Sequence, residues 1–275
     1  MNILVLGATG LIGRAIKKIL DQEQDYNVIG TFNNNRFIDN KKLIKFNVFN
    51  DRDLDTFIKK LNPDFIINCI GITKHLSLKY NDNEYMEVNA NFPKKLSLIA
   101  FKNNSKFIQI STDCIYSGKK GNYKENDVSD ANDIYGISKS IGEKIHPSSL
   151  ILRTSTVGRE IGTKYGLIEW FLSQDKECEG YQSAIFSGIT NIELGKILKK
   201  YIIPKEDCSG TFNISSSPIN KYEFLKKLAL FYKKDIKIYK NNVIKIDRSL
   251  SSSLFKNKFG YVPKSWDLML SEMDK

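Results

Sequence analysis

Short apolar runs alternate with stretches of helical repeat along this chain. Residues 3–6 are continuously apolar and stop at Gly7, and residues 11–20 then repeat apolar positions at helical spacing. Residues 27–32 and 43–48 are the second and third strand candidates, followed by a helix from near Asp53 to just before Pro63. Residues 64–70, with FIINCI at their centre, make a fourth strand. A long amphipathic helix is predicted over 84–102, kinked at Pro93. Residues 106–110 read as a fifth strand, 135–144 as a helix and 149–153 as a sixth strand. Short, fully apolar strands separated by helices predict a parallel sheet covered on both faces. Right-handed crossovers then make it a doubly wound Rossmann-type α/β fold. Beyond Arg153 the pattern loosens around Gly158, Gly162, Gly166, Gly180 and Gly188, although 189–201 and 222–232 read as further helices. The expected division is an NAD(P)-binding Rossmann domain over 1–153. Residues 154–275 form a smaller, mainly substrate-binding region, with some elements returning to the core.

Composition narrows this picture. A length of 275 residues suits one α/β core with an appended region. No run of about eighteen apolar residues occurs, so no membrane span is expected. The net charge of +11 comes from scattered lysines, in pairs such as Lys17-Lys18, Lys41-Lys42, Lys59-Lys60 and Lys199-Lys200. They are not gathered on one element, so nucleic acid is not an expected partner, while a mild positive field favours an anionic cofactor and a diphosphate substrate. Cys69, Cys114, Cys178 and Cys208 form no CxxC pair, which argues against zinc, other metal or disulfide frameworks. The opening MNILVLGATG enters a glycine motif at once, and the expected compartment is the cytoplasm.

That motif is Gly7-Ala8-Thr9-Gly10-Leu11-Ile12-Gly13, a GxxGxxG between strand and helix. Glycine allows the tight turn and brings backbone N–H groups up to a pyrophosphate at the helix start. Gly7, Thr9, Gly10, Leu11, Ile12 and Gly13 are therefore candidate cofactor contacts. About twenty residues on, an NAD site usually carries a carboxylate for the ribose 2′-OH. Here none occurs before Asp39, and Thr31 and Arg36 can receive a 2′-phosphate instead. NADP(H) is the preferred cofactor, with NAD(H) left open. Cys69 and Gly71, at the mouth of the fourth strand, are further candidate cofactor contacts.

Tyr135-Gly136-Ile137-Ser138-Lys139 places Tyr135 and Lys139 one helical turn apart on the same face. The Lys139 ammonium is expected to lower the Tyr135 pKa and make the phenol a proton donor near neutral pH, and also to hold the nicotinamide ribose. Ser111-Thr112-Asp113 sits at the C-terminal end of the fifth strand, where such sheets bind ligands.

With these elements in place, the stretch STDCIYSG…YKENDVSDANDIYGISKSIGE…LILRTSTVG is similar to the dTDP-4-dehydrorhamnose reductase family of extended short-chain reductases. The resemblance extends more loosely to FSGITNIELGKIL and IDRSL…GYVPKSWDLML. It implies Thr112, Tyr135 and Lys139 as the catalytic set, with Asp113 and the loop after Arg153 near substrate and nicotinamide. It also implies an adenine contact at Asn47-Val48, where Asn47 stands for a frequent Asp. Two positions depart from the family. Cys114 replaces an aromatic residue and Thr156 replaces a tryptophan, both facing the sugar, so the sugar need not be the rhamnose precursor. Arg248 either grips the substrate diphosphate or pairs with Asp247 at the surface.

The implied reaction is NADPH-dependent reduction of the C4 ketone of a nucleoside-diphosphate 4-keto-6-deoxy sugar, in surface-polysaccharide sugar biosynthesis. The alternatives are a nucleotide-sugar epimerase with tightly bound NAD and a non-catalytic NADP-binding regulatory subunit. The expected partner is the nucleoside-diphosphate sugar, with a homodimer left open.

Overall fold

Seven strands, every neighbouring pair parallel, form the central sheet of the computed structural model, which describes all residues except 34–41, 51–52, 161, 163–164, 206–207 and 274–275. In chain order, β1 (Asn2–Leu6), α1 (Leu11–Leu20), β2 (Asn27–Phe32), β3 (Leu43–Lys45), α2 (Leu54–Leu61) and β4 (Phe65–Asn68) build the first half. Next come α3 (Asp82–Met86), a π-helical turn (Glu87–Asn91), α4 (Phe92–Lys102), β5 (Lys106–Thr112), α5 (Ile134–Ile141) and β6 (Leu150–Thr154). The remainder holds β7 (Thr156–Val157), α6 (Leu167–Leu172), β8 (Glu177–Tyr181), β9 (Ala184–Phe186), β10 (Ile189–Thr190), α7 (Asn191–Ile197) and β11 (Gly210–Asn213). β12 (Ile219–Asn220), α8 (Lys221–Tyr232), β13 (Lys237–Asn241), β14 (Ile246–Asp247), α9 (Ser253–Phe259) and α10 (Trp266–Ser271) complete it.

The sheet order is β11-β6-β5-β4-β1-β2-β3. Strand order reverses between β1 and β4, so the carboxyl ends of those strands open the crevice in which doubly wound sheets bind ligands. All four residues of β4 and all five of β6 are buried, as strands covered on both faces require. One apolar cluster joins Ile16 and Leu20 of α1 to Ile197 of α7 on one face of the sheet. A second joins Leu54 and Ile58 of α2 to Leu96 and Ala100 of α4 on the other. β12, β9 and β14 make a small separate sheet, with β9 in the middle. Among the described residues, no helix is long and apolar enough to cross a membrane.

Three predicted elements differ in detail. The third strand stops at Lys45, short of Asn47 and Val48, because the Asn47 Oδ1 accepts the Phe49 N–H at 3.1 Å and turns the chain into a 3₁₀ step. The fourth strand stops at Asn68, whose Oδ1 accepts the Ile70 N–H at 3.1 Å. The long helix starts at Asp82, behind a capping box between Asn81 and Glu84, and its irregularity is a widened turn rather than a kink. Pro93 has no N–H for a carbonyl four residues back, and the turn before it expands to π geometry. Gly142 permits close approach there, since a Cβ on it would lie 1.9 Å from the Asn89 carbonyl oxygen.

Candidate active site

The glycine turn lies at the reversal point of the sheet. Gly7 has φ +74°, in the left-handed region that favours glycine. Its N–H donates to the Thr31 Oγ1 at 3.0 Å, and the Ala8 N–H donates to the Thr31 carbonyl at 2.8 Å. A Cβ on Gly13 would lie 2.3 Å from the Gly7 carbonyl oxygen, so only glycine lets α1 pack this close. Gly10 precedes α1 in extended conformation, without a side-chain cap and without an acidic residue in the first turn. The first-turn N–H groups of Leu11, Ile12 and Gly13 are thus left uncapped by side chains, at the positive end of the helix dipole.

Thr31 differs from expectation. It is buried and its hydroxyl holds the glycine turn, so it supports the loop instead of facing a 2′-phosphate. Arg36 lies outside the described residues. Val48 is buried in the apolar cluster beneath α2, while Asn47 keeps its side-chain amide N–H₂ beside the 3₁₀ step.

Cys69 and Gly71 occupy the loop between the glycine turn and Lys139. A Cβ on Gly7 would touch Ile70 at 3.1 Å, and one on Gly71 would lie 4.0 Å from the Lys139 Nζ. This loop is fixed by Asn89, a residue that motif spacing did not single out. The Asn89 Oδ1 accepts the Ile72 N–H at 2.9 Å, and its Nδ2 donates to the Ile72 carbonyl at 3.0 Å and to the Ser138 Oγ at 3.1 Å. The widened turn therefore ties the β4 loop to the helix carrying Tyr135 and Lys139. Burial pushes the Cys69 thiol up to about 12.

Thr112, Tyr135 and Lys139 converge over the end of β5. The Thr112 Oγ1 accepts the Cys114 N–H at 3.1 Å, lies 3.2 Å from the Asp113 Oδ1 as donor, and stands beside the Tyr135 phenol. Asp133 caps α5 by accepting the Gly136 N–H at 2.9 Å. The Lys139 Nζ donates to the Ile110 carbonyl at 2.9 Å, and burial lowers its ammonium to about 8, against the pull of Glu143. The expected lowering of Tyr135 by Lys139 is not observed. Burial raises the phenol, Cys114 adds to that, and the opposing influence is the Thr112 hydroxyl.

Behind this group, Glu143 accepts a 2.5 Å hydrogen bond from Ser111 and pairs with Arg153, whose Nη2 lies 2.7 Å from Oε2. Arg153 also donates to the Tyr116 hydroxyl and the Glu125 carbonyl, both at 2.9 Å. On the other side stand Asp113, Cys114 and Arg248. Burial raises the Asp113 carboxyl, chiefly against Arg248. Burial pushes the Cys114 thiol up to about 12. Arg248 donates to the Tyr116 carbonyl at 2.8 Å, and its Nη1 lies 3.8 Å from the Cys114 Sγ. Among the described residues it forms no ion pair with Asp247, whose Oδ1 accepts the Ser249 N–H. The Thr156 hydroxyl is buried without a hydrogen-bond partner in β7.

A reversed parallel sheet, an open helix start at its switch point and a Tyr–Lys turn over β5 put this chain among the dinucleotide-dependent oxidoreductases, in the extended short-chain branch. Within that class, it belongs to the family described as RmlD substrate binding domain, whose model matches residues 1–175. It is 28% identical over 234 residues to a dTDP-4-dehydrorhamnose reductase of Aggregatibacter actinomycetemcomitans, covering 81% of this chain and 76% of the relative. It is 29% identical over 144 residues to methionine adenosyltransferase 2 subunit beta of Danio rerio, covering 52% of this chain and 42% of that one. Its fold matches the dTDP-4-dehydrorhamnose reductase of Bacillus anthracis, solved in complex with NADP, with TM-score 0.83 at 19% identity, covering 99% and 98% of the two chains.

Proposed function

We propose that this protein reduces the C4 ketone of a nucleoside-diphosphate 4-keto-6-deoxy sugar with NADPH, as a step in making a polysaccharide sugar. The observation that carries the reading is the convergence of Thr112, Tyr135 and Lys139 at the end of β5, beside the open glycine turn of a family member. The residues fit a dinucleotide: α1 begins without a side-chain cap, and the space a Gly13 Cβ would need is already filled by Gly7. Leu11, Ile12 and Gly13 would hold the pyrophosphate through their N–H groups, with Gly7, Thr9 and Gly10 shaping the turn. Arg36 would meet the 2′-phosphate, Asn47 the adenine, and Cys69 and Gly71 the ribose side of the crevice. NADPH, when bound, supplies the hydride.

Tyr135 holds the proton that the substrate oxygen receives as the ketone becomes an alcohol. Its burial keeps the phenol protonated at neutral pH, as a donor must be. Thr112 steadies the same oxygen by a hydrogen bond, and the Lys139 ammonium would hold the nicotinamide ribose. Asp113, Cys114, Thr156 and Arg248 line the sugar side. Residues 1–153 serve the cofactor and 154–275 mainly the sugar. The reaction belongs in the cytoplasm, which free thiols at Cys69, Cys114, Cys178 and Cys208 suit. The reading includes a homodimer formed through an exposed apolar face. Leu98 and Phe101 on α4 and Ile137 and Ile141 on α5 are its exposed apolar side chains.

The similarity to a methionine adenosyltransferase subunit favours a second reading, a regulatory subunit that binds NADP without turnover. NADPH oxidation against a panel of nucleotide-linked 4-keto sugars separates the two. The proposal expects net oxidation with at least one sugar and stoichiometric alcohol product. NADPH binding without oxidation on the whole panel would replace it with the regulatory reading. Bound NAD that recycles without net oxidation would replace it with epimerisation.

A further inference from the structure

The start of the cofactor helix is held by a residue 180 positions further along the chain. Asn191 is the first residue of α7, and Thr190 caps that helix by accepting the Glu193 N–H at 3.3 Å. β10 ends at Thr190 and pairs parallel with β7, Ile189 opposite Thr156 and Thr190 opposite Val157, so the start of α7 is built onto the strand that follows β6. A Cβ on Gly158 would lie 2.4 Å from the Asn191 Cγ, so the chain leaving β7 passes flat against this side chain. The Asn191 Oδ1 accepts the Ile192 N–H at 3.0 Å, and its Nδ2 donates to the Leu11 carbonyl at 2.9 Å. Asn191 is buried, so water competes little for that bond. Arg14 makes a second tie between the same pieces, its Nη2 donating to the Arg159 carbonyl at 2.8 Å.

We propose that Asn191 is a positioning residue for the dinucleotide, acting through the peptide group between Leu11 and Ile12. The inference rests on the cofactor reading of the glycine turn. It adds a residue that motif spacing did not single out, from the region read as serving the sugar. The Leu11 carbonyl and the Ile12 N–H belong to one peptide group. A donor on that carbonyl draws electron density toward the oxygen and leaves the N–H a stronger donor, since hydrogen bonds in series polarise one another. The Ile12 N–H is one of the first-turn donors left without a side-chain cap, at the positive end of the helix dipole. The Asn191 amide therefore strengthens a group that would meet the pyrophosphate, and it fixes the first turn of α1 against α7 at the same time. Its own orientation is set: with Oδ1 engaged by Ile192 and the side chain flat against Gly158, Nδ2 is the atom that faces Leu11. Because Arg14 also joins this loop to α1, a truncated Asn191 leaves the two pieces connected.

Fluorescence titration gives the NADPH affinity of the parent, Asn191→Ala and Asn191→Asp. Displacement gives their affinity for 2′-AMP, which carries the adenosine and the 2′-phosphate but no pyrophosphate. Asn191→Ala should bind NADPH about 3- to 10-fold more weakly, the range for one neutral hydrogen bond, with 2′-AMP unchanged. Asn191→Asp keeps the shape and the Ile192 bond and sets an acceptor against the Leu11 carbonyl, so it should lose more. It decides the matter should the alanine variant fail to fold. With an accepted sugar nucleotide, the KM for NADPH should rise while kcat and the sugar KM stay within about twofold. An NADPH affinity within about twofold of the parent overturns the proposal. So does an equal loss of 2′-AMP binding, which would make Asn191 a support of the whole crevice and not of the pyrophosphate donors. A parent that binds the dinucleotide while its variants bind it equally well refutes the inference alone. A parent that binds neither NADPH nor NADH refutes the cofactor reading, and the inference with it.

Discussion

Replacing Glu143 by Gln removes one charge from a buried pair that stands directly behind the Tyr135–Lys139 turn. The carboxylate receives the Arg153 Nε at 3.1 and 3.0 Å, the Arg153 Nη2 at 2.7 Å and the Ser111 hydroxyl at 2.5 Å. The side chains of Arg153 and Glu143 are 10% and 9% exposed, so water cannot replace the lost partner. Breaking a buried pair on one side costs about 3–5 kcal/mol. The low end, about 3 kcal/mol, is expected here, because Arg153 keeps Tyr116 and Glu125 and the glutamine keeps one acceptor oxygen. Urea unfolding should show this as a lower midpoint at unchanged slope. The double variant Glu143→Leu with Arg153→Met should be less destabilised than the single one, since no orphan guanidinium remains. The same change acts on catalysis. Glu143 raises the Lys139 ammonium, which burial lowers to about 8. A reaction that needs the charged lysine loses kcat/KM as pH rises past that value, and without Glu143 the decline should begin at lower pH. A single variant within about 1 kcal/mol of the parent, or an alkaline limb that stays put or moves upward, would refute this account of the pair.

Tyr135→Phe should leave folding and NADPH binding intact and lower turnover by about 10²–10⁴, with Thr112→Ala costing less; near-full activity of Tyr135→Phe on a keto sugar would identify another acid. NADPH should bind more tightly than NADH, and Arg36→Ala should weaken NADPH alone by about tenfold or more, which paired titrations check directly. On the proposed reading that Cys114 and Thr156 line the sugar side where the family carries two aromatic residues, dTDP-4-dehydrorhamnose should be turned over poorly beside a bulkier keto sugar; efficient use of it in a competition assay would contradict that.

Legibility in the sequence followed the range of the forces involved. β1, α1 and β2 follow from local periodicity, and the glycine turn follows from backbone sterics alone. The end of β3 was misread because the Asn47 side chain competes with the ladder, an effect that apolar patterning does not register. Thr31 looked like a phosphate ligand, but the tertiary approach of β1 directs its hydroxyl to Gly7. Spacing puts Tyr135 and Lys139 on one helix, as α5 does, whereas their electrostatics is not legible in it. Burial decides the sign at Tyr135, and burial is a property of the whole fold.

The widened turn at Glu87–Asn91 constrains how this chain can vary in length. Val88, Asn89 and Ala90 are buried in succession, where a regular amphipathic helix would bury one or two neighbours. Val88 joins the apolar cluster under α4, while Asn89 points to Ile72 and Ser138. The extra residue lets adjacent positions serve two different faces. Deleting one residue here would return the helix to a regular pitch and turn one face by about 100° relative to the other. Either Asn89 would release the loop beside Lys139 or Val88 would leave the core. Removals that a surface loop would absorb are therefore forbidden in this helix, and descendants of the chain can change length around it but not through it.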